Sequence, residues 1–174
     1  ALVLVEGPSD VVFLRHTAEQ LKAGGYLPAT FEERGIFPVS IGGCNLLKHW
    51  IAKRIADQFN IPWALFLDSD LGTPESGANL SQIKVHKQSG KKAHVTRKRE
   101  PENYILLEVV TPHVTGSAQV TWTDTSDAKK DIAEATSKSK GEVLEFFWTQ
   151  MNTEQIRRVE KYVDVNGQER FELT

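Results

Sequence analysis

The sequence predicts an α/β chain: a parallel sheet flanked by helices over residues 1–110, then a small, mainly helical extension over 111–174. Three observations carry this. The runs ALVLV (1–5) and WALFL (63–67) are apolar throughout, as expected of strands covered on both faces. Segments of helical periodicity lie between them, and strands alternating with helices dictate a parallel sheet with right-handed crossovers. Both apolar runs also stop on an acid, Glu6 and Asp68.

Taken in order, strand 1–5 runs into Gly7-Pro8, where Gly7 serves as N-cap and Pro8 as the first helical residue, its preferred place. The helix covers 8–22 and stops at Gly24-Gly25. Residues 36–41 (IFPVSI) read as a second strand, placed at an edge or a strand start by Pro38, and Gly42-Gly43 gives a tight turn. A second helix is expected over 45–59, with Leu46, Leu47, Trp50, Ile51, Ile55 and Phe59 on one face. The third strand, 63–67, leads into Asp68-Ser69-Asp70. Beyond it the pattern predicts a helix over 77–88, a strand over 93–96, a helix over 101–109 opened by Pro101, and a Thr-rich loop or short strand over 111–125. Helices follow at 126–136, 140–151 and 153–160, and Asn166-Gly167 signals a terminal hairpin.

The 174 residues, 40% of them apolar, suffice for a core without disulfides or a structural metal. Cys44 is the single cysteine, which excludes an internal disulfide or a Cys-based zinc site and fits a reducing, cytoplasmic setting. No apolar run of membrane-spanning length and no signal-peptide pattern occurs. The chain starts without Met, inside a strand, which reads as a piece of a longer protein. The net charge of −2 conceals a basic run, with Lys84, Lys87, Lys91, Lys92, Arg97, Lys98 and Arg99 and no acid among them. A solvated face explains such a run; next to an acid cluster it also suits a polyanion, with the lysines and arginines on phosphates.

In a parallel sheet, functional groups gather at the carboxyl ends of strands, where Glu6, Gly42-Gly43, Asp68 and Asp70 fall. If the strand continued through Asp68-x-Asp70, both carboxylates would point one way. Asp10, at the third helical position, would be explained by the helix dipole alone. Gathered together, the acids repel: two charges about 4 Å apart cost about 4 kcal/mol at an effective dielectric of 20. They call for a cation or a shared proton. Oxygen ligands without Cys or clustered His suit Mg²⁺ or Mn²⁺. Gly42-Gly43-Cys44-Asn45 could bring backbone to a phosphate or be only a tight turn. Trp122, in the polar Thr-rich segment, is the tryptophan to test for DNA contact. No Walker A pattern is present.

Glu6-Gly7 after a strand, Gly42-Gly43 before a helix and Asp68-x-Asp70 after a third strand resemble the Toprim domain of topoisomerases, primases and related nucleases. The segment KREPENY (98–104) resembles the E-x-E-N-Y element of OLD-family (overcoming lysogenization defect) nucleases, as does EGPSD with its second acid, Asp10. The resemblance covers about residues 1–110. It implies a Toprim (Rossmann-like) fold and two-metal cleavage of DNA, one ion aiming a water and the other stabilising the departing oxygen. On that resemblance Glu6, Asp10, Asp68, Asp70 and Glu102 hold two Mg²⁺ or Mn²⁺ ions, and Glu6 also counts as catalytic. Lys91, Lys92, Arg97, Lys98 and Arg99 bind DNA. A lysine after the E-N-Y element, at a helix start, stabilises the phosphate; Lys138 and Lys140 are the candidates, with Lys140 preferred. An N-terminal ABC-type ATPase domain in the full-length chain and a homo-oligomer also belong to this expectation. Primase-like or RNA-processing chemistry, and a non-catalytic DNA- or partner-binding domain, are the alternatives. A receiver-type phosphoacceptor ranks below them, for want of further clean β-α units.

Overall fold

The computed structural model describes residues 1–43, 46, 49–50, 55–58, 60–117 and 119–174. Four strands form one parallel sheet: β1 (Leu2–Val5), β2 (Phe37–Ser40), β3 (Trp63–Leu67) and β4 (Lys92–Val95), in the order β2-β1-β3-β4. Pro38, which has no N–H to donate, accordingly sits in an edge strand. The two acid-tipped strands lie side by side at the centre, with Leu2 opposite Trp63 and Leu4 opposite Leu65.

The alternation of side chains divides the core in two. Leu4, Leu65 and Leu67 pack with Ile41 and Ile83 on one face of the sheet. Val5 and Phe66 join the larger cluster on the other face. Helix α1 (Pro8–Ala23) starts at Gly7 with Pro8 in its first position, as the sequence predicts, and buries Phe13, Leu14 and Leu21. A short helix, α2, covers Ile55–Gln58, and α3 covers Ser76–Gln88. The helix expected over 45–59 falls largely on residues 44, 45, 47, 48, 51–54 and 59, which lie outside the described residues, as do Cys44 and Asn45 of the glycine turn.

The helix expected over 101–109 is not continuous. Pro101–Tyr104 forms a 3₁₀ turn, Ile105 and Leu106 are extended, and a single turn, α4 (Leu107–Val110), follows. The break has a packing reason: extending at Ile105 keeps both Tyr104 and Ile105 inside the main core. Among the described residues of 111–125 there is one 3₁₀ turn, Thr111–His113, and no strand.

The extension supplies α5 (Ala128–Thr136), α6 (Lys140–Trp148), α7 (Thr153–Glu160) and an antiparallel hairpin of β5 (Lys161–Val163) and β6 (Glu169–Phe171). Helix α6 ends at Trp148, three residues short of the expected limit, because Thr149 closes it and Met151 turns into the core. Ile132, Val143, Leu144, Phe147, Trp148 and Ile156 share one cluster with Phe13 and Tyr104. The Phe13 and Trp148 rings meet at 4.6 Å, tilted by 38°, and the Trp148 indole donates to the Phe13 carbonyl at 3.2 Å. The extension thus clamps α1, the helix that carries Asp10.

Candidate functional site

The carboxyl ends of β1 and β3 open onto a shared acid cluster. Glu6 follows β1 directly. Asp10 returns from the first turn of α1, where its carboxylate accepts the Gly7 N–H at 2.8 Å. Asp68 follows β3. Glu100 and Glu102 arrive from the far side, on the Pro101–Tyr104 turn. Asp68 is the hub. Burial first, then the charges of Asp10, Glu102, Glu6 and Glu100, push its acid well above the usual carboxylate range. Its Oδ1 is sealed from solvent and has no hydrogen-bond partner among the described residues. Burial also raises Asp10, although the Gly7 N–H and Lys129 oppose it. Glu100 is raised to about 7, by burial and by the neighbouring Glu102.

Asp70 departs from the strand geometry expected of it. Strand β3 ends at Leu67, and Asp70 takes a left-handed backbone (φ 49°), so the two-residue alternation does not extend to it. Its carboxylate accepts from Nδ2 of buried Asn79 at 2.6 Å, and the same Nδ2 donates to the Asp68 carbonyl at 3.0 Å. The Asp70 N–H donates to the Arg99 carbonyl at 3.0 Å, and Ser69 Oγ donates to the Lys98 carbonyl at 2.6 Å. The segment 97–99 therefore frames the aspartate loop.

The PENY turn has an equally specific build. Asn103 is 1% exposed; its Oδ1 accepts the Glu100 N–H, and its Nδ2 donates to the carbonyls of Thr123 and Ser126 at 2.7 and 3.0 Å. Asn103 thus pins the loop that leads into α5. That helix begins at Asp127, whose carboxylate caps the Lys130 N–H at 2.9 Å. The Lys129 N–H donates to Glu100 Oε1 at 3.3 Å, and Lys129 Nζ stands 2.9 Å from Glu102 Oε1. Burial works against the Lys129 charge, but Glu102, Glu100 and Asp68 outweigh it and raise the group to about 12.

Lys129 was not singled out by sequence reasoning, although it too is a lysine at a helix start after the E-N-Y element. Lys140, the first residue of α6, is more than half exposed, with its Nζ 4.0 Å from Asp127 Oδ2. Lys138 lies 3.9 Å over the Phe146 ring. The expected DNA-binding residues fall into two groups. Lys92 opens β4 and Lys91 directly precedes it, at the opposite end of the sheet from the acids; Lys91 pairs with Asp57 and covers the Trp63 ring at 4.2 Å. Arg97, Lys98 and Arg99 lie at the acid end, paired with Asp124 and Glu172, Asp124, and Asp127 respectively. The Gly43 N–H is spent on the Glu6 carbonyl at 2.7 Å, which favours the tight-turn role of the glycine pair; both glycines have positive φ. Trp122 packs, half-buried, against the main core.

Among the described residues, no three His, Cys, Asp or Glu side chains already stand in ion-holding geometry. Protein donors hold several of the acids instead: Gly7 holds Asp10, Asn79 holds Asp70, and Lys129 holds Glu102. The donor set still fits a divalent ion. It is all oxygen, suited to a hard cation, and it contains the unpartnered, buried Asp68 Oδ1.

A four-stranded parallel sheet flanked by helices, with acids at the ends of its two central strands, is consistent with a Toprim (Rossmann-like) fold. Residues 1–70 match the family described as "Overcoming lysogenization defect protein-like, TOPRIM domain", which supports a Toprim domain of an OLD-family protein. The matched span contains Glu6, Asp10, Asp68 and Asp70, and leaves out Glu100, Glu102, Lys129 and Lys140. This domain type goes with divalent-metal binding and with nuclease or primase-type function. No curated protein and no solved structure gives a significant match. No helix among the described residues is long and apolar enough to cross a membrane.

Proposed function

We propose that the chain is the catalytic part of a metal-dependent DNA endonuclease that hydrolyses phosphodiester bonds with two Mg²⁺ or Mn²⁺ ions. The carrying observation is Asp68: a buried carboxylate oxygen without a hydrogen-bond partner among the described residues, surrounded by four further acids at the joint end of β1 and β3. Such a group is stable as an anion only with a cation against it. Glu6 and Asp68 would hold the ions, with Asp10, Asp70, Glu100 and Glu102 completing their surroundings. When bound, the ions supply an activated water and stabilise charge on the departing oxygen.

The protein's own cations do the remaining work. Lys129 balances the acids from inside the cluster, and Lys140 stands at the rim, where a phosphate oxygen could reach it. Arg97, Lys98 and Arg99, at the same end, would meet the flanking phosphates. DNA is the proposed partner, and an N-terminal ABC-type ATPase domain in the full-length protein belongs to the same reading.

The test is nicking of supercoiled plasmid in Mg²⁺ or Mn²⁺, with Glu6→Ala, Asp68→Ala and Asp70→Ala as inactive controls. A folded protein that cuts no nucleic acid and gives no calorimetric signal with Mg²⁺ would overturn the proposal in favour of a binding scaffold.

A further inference from the structure

Glu172 lies near the end of the chain, in the tail after β6, far in sequence from every acid of the cluster. Its side chain is nevertheless only 3% exposed and fully engaged. Oε2 accepts the Tyr104 hydroxyl at 2.7 Å, across 68 residues of chain. Oε1 accepts the Arg97 N–H at 2.6 Å and lies 3.2 Å from His94 Nε2. The Arg97 guanidinium Nε is 3.6 Å from Oε2. Tyr104 Oη in turn accepts the Lys98 N–H at 3.0 Å.

These bonds converge on residues 97–104, the segment that frames both halves of the site. On one side the carbonyls of Lys98 and Arg99 hold Ser69 Oγ and the Asp70 N–H. On the other, Tyr104 closes the turn that carries Glu100 and Glu102. A second tail-held carboxylate gives a natural contrast. Glu160, 0% exposed, accepts from Arg157 at 2.6 Å, the Leu173 N–H at 2.8 Å and Thr174 Oγ1 at 3.0 Å. All of these partners belong to α7 and the tail. The protein thus has two buried carboxylates at its C-terminal end: Glu172, whose side chain is wired to the site's framework, and Glu160, which reaches no residue of that framework and anchors the tail itself, its carbonyl accepting the Glu172 N–H at 3.1 Å.

We infer that Glu172 is a positioning residue for the acid site: through Tyr104 and the Arg97 amide it locks the 97–104 segment, and with it the Asp68–Asp70 loop and Glu102. The inference rests on the acid cluster being the functional site. Its mechanical part, the link from the tail to Asp70, holds whatever the cluster does.

The experiment compares Glu172→Gln, Tyr104→Phe, their double variant and Glu160→Gln, all in the full chain. One readout is amide hydrogen exchange at Asp70 and Lys98, referenced to Ile156 in α7. The other is Mn²⁺ affinity by titration. Glu172→Gln is expected to speed exchange at Asp70 and Lys98 about tenfold or more relative to Ile156, and to weaken Mn²⁺ binding by about 10- to 100-fold, the usual range for outer-shell partners. Tyr104→Phe should move both readouts the same way, and the double variant should add up to less than the sum of the two, since Tyr104→Phe cuts one of the links that Glu172→Gln weakens. Glu160→Gln, which loosens the tail but keeps the Glu172 carboxylate and its partners, should lower stability and move both readouts clearly less than Glu172→Gln does. Glu172→Gln and Glu160→Gln behaving alike, or Glu172→Gln and Tyr104→Phe adding in full, would overturn the inference. If Glu172→Gln does not fold, Tyr104→Phe decides alone: wild-type exchange at Asp70 then overturns it. A wild-type protein that binds no Mn²⁺ counts against the proposed function, while the exchange readout still decides the positioning role.

Discussion

Lys129 Nζ stands 2.9 Å from Oε1 of Glu102, a carboxyl group only 1% exposed. Removing the cation strands a buried charge. Lys129→Met is therefore expected to cost about 3 kcal/mol at pH 7, the low end for breaking a buried pair because the lysine is itself one-third exposed. The cost should shrink at pH 4, where Glu102, its acid already raised by burial, takes up a proton. Urea unfolding at the two pH values measures this. An equal loss at both would mean that the lysine contributes packing alone.

Glu100 sets a pH dependence of opposite sense to ordinary acid denaturation. The unfolded chain releases its proton near 4.5, the folded protein near 7. Between those values the native state holds more protons, so stability falls as pH rises. Asp10, Asp68 and Glu102 are raised too and act in the same direction. Glu33, Glu108, Glu142, Asp164 and Glu172 are lowered, and their contribution is lost only as pH falls below the usual carboxylate range. In a chelating buffer the melting temperature should be higher at pH 5 than at pH 7.5, with a gentler slope in Glu100→Gln. Mg²⁺ should restore stability at pH 7.5. A rise in melting temperature from pH 5 to 7.5 in chelator would count against the acid cluster as drawn.

Asp68→Asn should separate stability from activity. It replaces a buried acid, crowded by four others and with no hydrogen-bond partner for its Oδ1 among the described residues, with a neutral isostere, so without metal at pH 7.5 it should stabilise by roughly 1–3 kcal/mol. Metal-dependent nicking should disappear. A destabilised Asp68→Asn would show that another group already satisfies the carboxylate.

Asn79 holds Asp70 by one donor and the Asp68 carbonyl by the same nitrogen. Asn79→Ala should cost about 1–3 kcal/mol and raise the Mg²⁺ concentration needed for half-maximal nicking. Unchanged metal dependence would make Asn79 a loop-packing residue only.

Lys140→Ala should leave stability within about 0.5 kcal/mol, as for an exposed residue. Loss of nicking with Mg²⁺ binding intact would assign the phosphate-stabilising charge to Lys140. Unchanged nicking would pass that role to Lys129.

The sheet and the position of its acids were legible because both rest on local pattern. Two-sided apolar runs ending in Glu6 and Asp68 need no tertiary information to be read as buried strands with functional tips. Lys129 was not legible. In the run DAKKD its neighbour Lys130 has the same chemistry, and only the rotational phase of α5 against the PENY turn turns one inward. Asn79 and Glu172 were hidden for a similar reason, since each acts on a partner brought near by folding. The basic run misled in the other direction. It looks continuous in sequence, but β4 passes through it, and the five residue steps from Lys92 to Arg97 cover about 16 Å at strand spacing. The expected helix over 101–109 failed at Ile105, where helical periodicity continues in sequence but burial of Tyr104 and Ile105 is better served by an extended link.

The in-register pairing of β1 with β3 has a consequence for how the gene can vary. Glu6 and Asp68 are placed by counting peptide units along two neighbouring strands that start level, Leu2 beside Trp63. Inserting or deleting one codon in either strand would rotate everything downstream to the opposite face and carry an acid out of the cluster. Length changes are tolerable only where no such count is kept, as in the loop at 24–36. Protein engineers wishing to insert a tag or a reporter should go there.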